Sequence, residues 1–145
     1  MSIYRQKPWT ILHVEDDPVV LLAYRSRLQR EGFRVESAED GLVAVKILHK
    51  LMPDLIVLDL MLPRFDGVEV LRFIRADPRF KEIPTIILST NSITEVTQEY
   101  VLETANKRLI KDVCTFSMLL EAIHELLPES AVAAEAFTAD QAVQA

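Results

Sequence analysis

Several acidic residues stand where their charge is costly. Glu15, Asp16 and Asp17 directly follow the run TILHV, and Asp59 lies within LIVLDLML, flanked by Leu58 and Leu60. A carboxylate inside so apolar a stretch is expensive unless it has a partner or a task. The hydroxyls of Ser89 and Thr90 follow the run TIIL, and Lys111 follows RLI. Glu15, Asp16 and Asp59 gathered in one crevice would repel each other unless a cation joined them. Oxygen donors with room for water suit Mg²⁺. Mg²⁺ and Lys111 together offset three carboxylates and leave a neutral pocket with open oxygen positions. Such a pocket is ready for a phosphoryl group, with Asp59 as the acceptor.

The elements that must bring these residues together are readable from periodicity. Strands are expected at 10–14, 34–37, 55–58, 85–88 and 108–110. The first, third and fourth are nearly all apolar, as parallel strands covered on both faces are. Helices fall between them. Asp17 can cap the first, with Pro18 in its first position and Gly32 at its end; Leu21, Tyr24 and Leu28 share a face. Asp40 can cap the second, with Ala44, Ile47, Leu48 and Leu51 inward, and Asp66 the third, which ends before Pro78. The run from Ser92 to Glu95 reads as a capping box opening the fourth. Thr115 can cap the fifth, with Leu119, Leu120, Ile123 and Leu127 inward and Pro128 as the stop.

This is a (βα)₅ pattern, hence an α/β fold with a doubly wound parallel sheet. Ligands bind beyond the carboxyl ends of such strands. Every expected strand except the second is followed there by an acid, a hydroxyl or a lysine. An edge position for the second strand, in the order 2-1-3-4-5, explains the exception.

Composition narrows the field. The net charge of −6 argues against a nucleic-acid-binding domain. The single cysteine, Cys114, excludes an intrachain disulfide and reads as a small semi-buried residue. His13, His49 and His124 are scattered and form no metal or catalytic pattern. The opening MSIYRQKPW lacks a signal-peptide core, and no apolar run approaches the ~18 residues of a membrane helix. A cytoplasmic protein is expected, without nucleic-acid or membrane partners. Residues 1–128 are expected to form one domain. Residues 129–145, rich in alanine and lacking Lys and Arg, are expected to be a disordered or weakly helical tail.

Over residues 9–128 the sequence resembles the receiver domain of bacterial two-component response regulators. The resemblance rests on ILHVEDDP (11–18), LIVLDLMLP (55–63) followed by Asp66 and Gly67, and PTIILS (84–89). Asp59 lies 43 residues after Asp16, Ser89 lies 30 after Asp59, and Lys111 lies 22 after Ser89. The resemblance implies a flavodoxin-like, CheY-like stand-alone domain that is not an enzyme in its own right. It implies that Asp59 accepts a phosphoryl group from a phosphohistidine on a sensor kinase or phosphotransfer protein. Asp16, Asp59 and the Met61 carbonyl would hold Mg²⁺, with Glu15 acting through water. Lys111 would pair with phosphoryl oxygens. The Ser89 hydroxyl would turn toward them and bias the fourth helix and fifth strand toward an active state.

The sequence departs from the family's pattern after Ser89 and around Lys111. Asp112 follows the lysine where proline is usual in a cis peptide; a non-proline cis bond costs about 2.5–4 kcal/mol, so a trans bond is expected. Arg108 replaces the usual aromatic switch residue, so the usual coupling of hydroxyl to aromatic rotamer cannot operate. Thr90 replaces a common alanine and Thr104 a common glycine, with Asn106 a candidate left-handed helix end. Met61 and Asn91 occupy the two positions that tune phosphoryl lifetime. Output is expected through the fourth helix, fifth strand and fifth helix, to an unknown protein target or a second copy, with Lys107, Arg108 and Asp112 available for ion pairs.

The alternative is a receiver-like binding module that acts without phosphorylation. A phosphohydrolase is disfavoured because Met61 stands where its general acid belongs, and dinucleotide binding because no glycine-rich fingerprint follows the first strand.

Overall fold

The computed structural model describes residues 8–90 and 95–130. Five strands alternate with five helices. They are β1 (Thr10–Val14), α1 (Pro18–Arg30), β2 (Arg34–Ala38), α2 (Gly41–Leu48), β3 (Leu55–Asp59), α3 (Gly67–Ala76), β4 (Thr85–Ser89), α4 (Glu95–Thr104), β5 (Lys107–Ile110) and α5 (Phe116–Leu126). Every strand pairing is parallel and the order is β2-β1-β3-β4-β5. This is the doubly wound α/β fold expected from the sequence.

β1, β3 and β4 are buried along their whole length because helices cover both faces of the sheet. Successive side chains point to opposite faces. Leu12, Val14, Ile56, Leu58 and Ile87 therefore pack with Leu48 and Leu71 of α2 and α3. Ile11, Leu55, Val57, Ile86 and Leu88 pack with Leu28, Leu119 and Ile123 of α1 and α5.

The helix starts follow their capping residues. Asp17 accepts from the Val19 N–H at 2.9 Å, Asp40 from Val43 at 2.9 Å, Asp66 from Glu69 at 3.0 Å and Thr115 from Met118 at 3.2 Å. Each satisfies a donor that the first helical turn leaves unpaired. Gly32, at φ 94°, turns the chain out of α1.

Several boundaries differ from expectation. β2 extends to Ala38 and β5 begins at Lys107. α2 stops at Leu48, so Leu51 lies beyond it, in a turn where its N–H donates to the Ile47 carbonyl at 3.0 Å. Asn106 is not left-handed; among the described non-glycine residues only Arg64 has positive φ, at 62°. The Asn106 side chain instead accepts from the Thr85 N–H at 2.8 Å and from Arg75 at 2.9 Å. Arg75 also donates to the Thr104 and Ile83 carbonyls, at 2.7 and 3.0 Å, and so ties α3 to the approach to β5. Residues 128–130 are helical, and Ser130 is buried with its hydroxyl on the Leu127 carbonyl. Most of the expected capping box (Ser92 to Thr94), Asn91 and residues 131–145 lie outside the described residues. Among the described residues no helix is long and apolar enough to cross a membrane.

Candidate functional site

The carboxyl ends of β1, β3, β4 and β5 meet at one end of the sheet. Glu15 follows β1, with its N–H on the Ala38 carbonyl at 3.0 Å. Asp59 ends β3, paired in register with Leu88. Ser89 ends β4, and its carbonyl accepts from the Lys111 N–H at 2.8 Å. Four strands separated widely in sequence thus bring Glu15, Asp59, Ser89 and Lys111 to one rim.

Lys111 Nζ donates to Asp59 Oδ2 at 2.6 Å and to Glu15 Oε1 and Oε2 at 3.0 and 3.1 Å. The Met61 N–H donates to the other Asp59 oxygen at 2.9 Å. Glu15 and Asp59 are buried, whereas Asp16 is exposed at the mouth. Oxygens of Glu15, Asp16 and Asp59 lie within 4.8 Å of one another.

The loop from β3 to α3 is held close to this site. A Cβ on Gly67 would collide with the Asp59 carbonyl and the Leu60 backbone, so the start of α3 can sit on the acceptor strand only without a side chain there. Arg64, in its left-handed conformation, pairs with buried Asp40 at the start of α2. Met61, two residues after Asp59, is 63% exposed.

The model for the response regulator receiver domain matches residues 11–124. This chain belongs to that family. The receiver domain is a signalling phosphoacceptor and not an enzyme in the ordinary sense. A chemotaxis response regulator of Vibrio cholerae, CheY4, superposes with a TM-score of 0.74 at 27% identity, covering 83% of this chain and 99% of that one. The receiver domain of sensor histidine kinase PA1611 from Pseudomonas aeruginosa, with magnesium coordinated in its active-site cleft, gives 0.74 at 29%, covering 84% and 99%. Transcriptional regulatory protein AfsQ1 of Streptomyces coelicolor is 42% identical over 83 residues, 57% of this chain and 36% of that protein. The chain spans about a third of the length of such curated relatives. The acidic triad of Glu15, Asp16 and Asp59 resembles the Mg²⁺ site of receivers.

The remaining expected residues of this receiver surround the triad unevenly. Ser89 is fully buried and accepts a hydrogen bond from Arg108 Nε at 2.8 Å. Thr90 is half-buried, and its carbonyl faces Arg108 Nη2 at 3.5 Å. Asp112 is exposed, and no peptide bond is cis among the described residues, as expected after Lys111. Cys114 is half-buried; burial pushes its thiol up, away from the reactive thiolate.

His13, which shows no metal or catalytic pattern in the sequence, is a neighbour of the site. It is fully buried and stacked on Tyr24 at 5.1 Å, and it feels the charges of Asp59 and Lys111. The signal was the period of two, which puts Ile11, His13 and Glu15 on one face of β1.

Charge in the site is tightly balanced. Burial, reinforced by the Asp59 carboxylate, pushes Glu15 up to about 7, against the pull of Lys111. Burial alone would lower the Lys111 ammonium, but its bonds to Asp59 and Glu15 outweigh that and hold it above the ordinary lysine range. Burial drops His13 to about 4. Glu15 therefore stabilises the metal-free fold at acid pH, and that contribution is lost as pH rises from its ordinary 4.5 through about 7. His13 acts with the opposite sign: its contribution is lost as pH falls from 6.5 through about 4. In urea unfolding without divalent metal, the stability advantage of wild type over Glu15→Gln should shrink as pH rises across the Glu15 window. Parallel profiles for the two chains would show that Glu15 does not titrate there.

Proposed function

We propose that Asp59 accepts a phosphoryl group from a phosphohistidine in a Mg²⁺-dependent reaction, and that the chain signals through changed protein–protein contacts. The observation carrying this reading is the Lys111 ammonium, which bridges Asp59 and Glu15 beside the exposed Asp16. An Asp59 oxygen attacks phosphorus in line; the new O–P bond forms as the P–N bond breaks, and the imidazole departs with the electron pair.

The donor set fits a hard divalent ion. Three carboxylates converge, and Glu15 is pushed up by burial first and by the Asp59 carboxylate second. Asp16, Asp59 and the Met61 carbonyl would hold Mg²⁺ directly and Glu15 through water. When bound, Mg²⁺ supplies charge neutralisation for the acceptor and the phosphoryl oxygens. Lys111 pairs with one phosphoryl oxygen, and the Ser89 hydroxyl donates to another. Arg108 lies on β5, and Thr90 and Asp112 directly follow Ser89 and Lys111; we assign the face formed by α4, β5 and α5 to readout.

The donor in this reading is a sensor histidine kinase or a phosphotransfer protein, whose P–N bond has the high transfer potential that forming an aspartyl phosphate requires. The readout face contacts a downstream protein or a second copy of the chain. Within the chain Lys107 pairs with Glu125 of α5, Arg108 is held on Ser89, and Asp112 is exposed.

Beryllofluoride, a phosphoryl mimic, tests the reading. With Mg²⁺ it should bind saturably and raise the melting temperature. No spectral or thermal response would favour a binding module that acts without phosphorylation. Met61, exposed and two residues after Asp59, is assigned as the shield against in-line water. Met61→Glu should change the decay half-life of the phosphorylated chain, and an unchanged half-life removes that role.

A further inference from the structure

Arg108 stands where an apolar or aromatic side chain would give a quite different surface. In the β4–β5 register it lies opposite Ile87, two residues before Ser89. Paired parallel strands put these side chains on one face. Two residues of strand rise about 6.6 Å, a gap that the long arginine side chain covers. Its Nε–H donates to Ser89 Oγ at 2.8 Å, and Nη2 points to the Thr90 carbonyl at 3.5 Å.

The chemistry of this bond matters more than its presence. Arginine stays charged in proteins, so the contact is charge-assisted. A serine hydroxyl has two lone pairs and one proton, and accepting from Arg108 leaves the proton available for donation. A hydroxyl that accepts from a cation is polarised into a stronger donor, most of all where water is excluded. Ser89 is fully buried.

Charge counting supports the same role. Once Asp59 is phosphorylated, Glu15, Asp16 and a phosphoryl group near two negative charges outweigh Mg²⁺ and Lys111 by about one. Arg108 is a further cation in contact with the hydroxyl that turns to the phosphoryl group. We propose that Arg108 is the second side-chain cation of the phosphoryl site, after Lys111, a positioning residue that acts through Ser89. This rests on the phosphoacceptor reading of Asp59.

Calorimetric titration with beryllofluoride at saturating Mg²⁺ tests the proposal on wild type, Arg108→Met, Ser89→Ala and the double variant. Arg108→Met should weaken binding about tenfold, the size of one charge-assisted hydrogen bond. In the Ser89→Ala background the same change should have little further effect, because the relay is already cut. Arg108→Lys keeps the charge but loses the planar donor, so it should fall between wild type and Arg108→Met. It carries the same test if the methionine chain does not melt like wild type.

Affinity unchanged in Arg108→Met overturns the proposal. Tighter binding also overturns it, because it would mean that Arg108 holds Ser89 away from the phosphoryl group. A tenfold loss that persists without the Ser89 hydroxyl overturns the relay. A wild type that does not bind beryllofluoride overturns the phosphoacceptor reading, and this inference with it.

Discussion

Asp59→Asn should take up no acid-labile phosphate under conditions in which wild type labels with Mg²⁺ and a phosphohistidine donor. The amide replaces the Lys111-bound carboxylate with a neutral group whose nitrogen or carbonyl oxygen is a poor nucleophile. The substitution is nearly isosteric, and the amide oxygen can still accept from the Met61 N–H, which now meets Asp59 at 2.9 Å. The fold should therefore persist, as circular dichroism and a cooperative melt can show. One further change separates a lost acceptor from a lost fold. Asp59 reinforces the upward push on Glu15, so Glu15 should titrate at lower pH in Asp59→Asn while burial keeps it above an exposed carboxyl. Label that survives in the variant would place the acceptor elsewhere and remove the central assignment.

Lys111→Met should produce the largest change in stability. Lys111 is the shared partner of Glu15 and Asp59, both buried. Removing one partner of a buried pair typically costs about 3–5 kcal/mol, because a charge is left unpaired. The Lys111 side chain is 33% exposed, so water already screens part of the attraction, and about 2–3 kcal/mol is the expected loss near pH 8 without metal. The loss should be smaller at acid pH. Without Lys111 the Glu15 carboxyl moves further up and is protonated over a wider range, so its contribution is lost only at higher pH. Millimolar Mg²⁺ should recover part of the deficit by taking over charge neutralisation. Urea unfolding at pH 6 and pH 8, with and without Mg²⁺, measures all three effects. A variant as stable as wild type at pH 8 without metal would show that the two carboxylates do not need the lysine.

These effects differ in how far they could be foreseen. Asp59 was legible because a carboxylate between Leu58 and Leu60 contradicts its surroundings. The caps at Asp17, Asp40, Asp66 and Thr115 were legible because the groups they satisfy lie two or three residues away. Leu51 was misplaced because an apolar repeat does not show where a helix stops. Asn106 was misread as a left-handed end because its partners, Thr85 and Arg75, lie 21 and 31 residues away. Local chemistry gave no sign of them.

The amino-acid sequence by itself determined the alternation of elements, the parallel sheet and the acids, hydroxyl and lysine at its strand ends. These depend on periodicity and on contacts close along the chain. Only the tertiary structure decided that Lys111 spans Glu15 and Asp59, that His13 lies buried beside them, and that Arg108 reaches Ser89. Strand register and side-chain reach set those contacts, and both follow from packing the whole sheet between its helices. Arg108 began as a missing aromatic; its guanidinium on Ser89 is a contact between strands that no stretch of sequence contains.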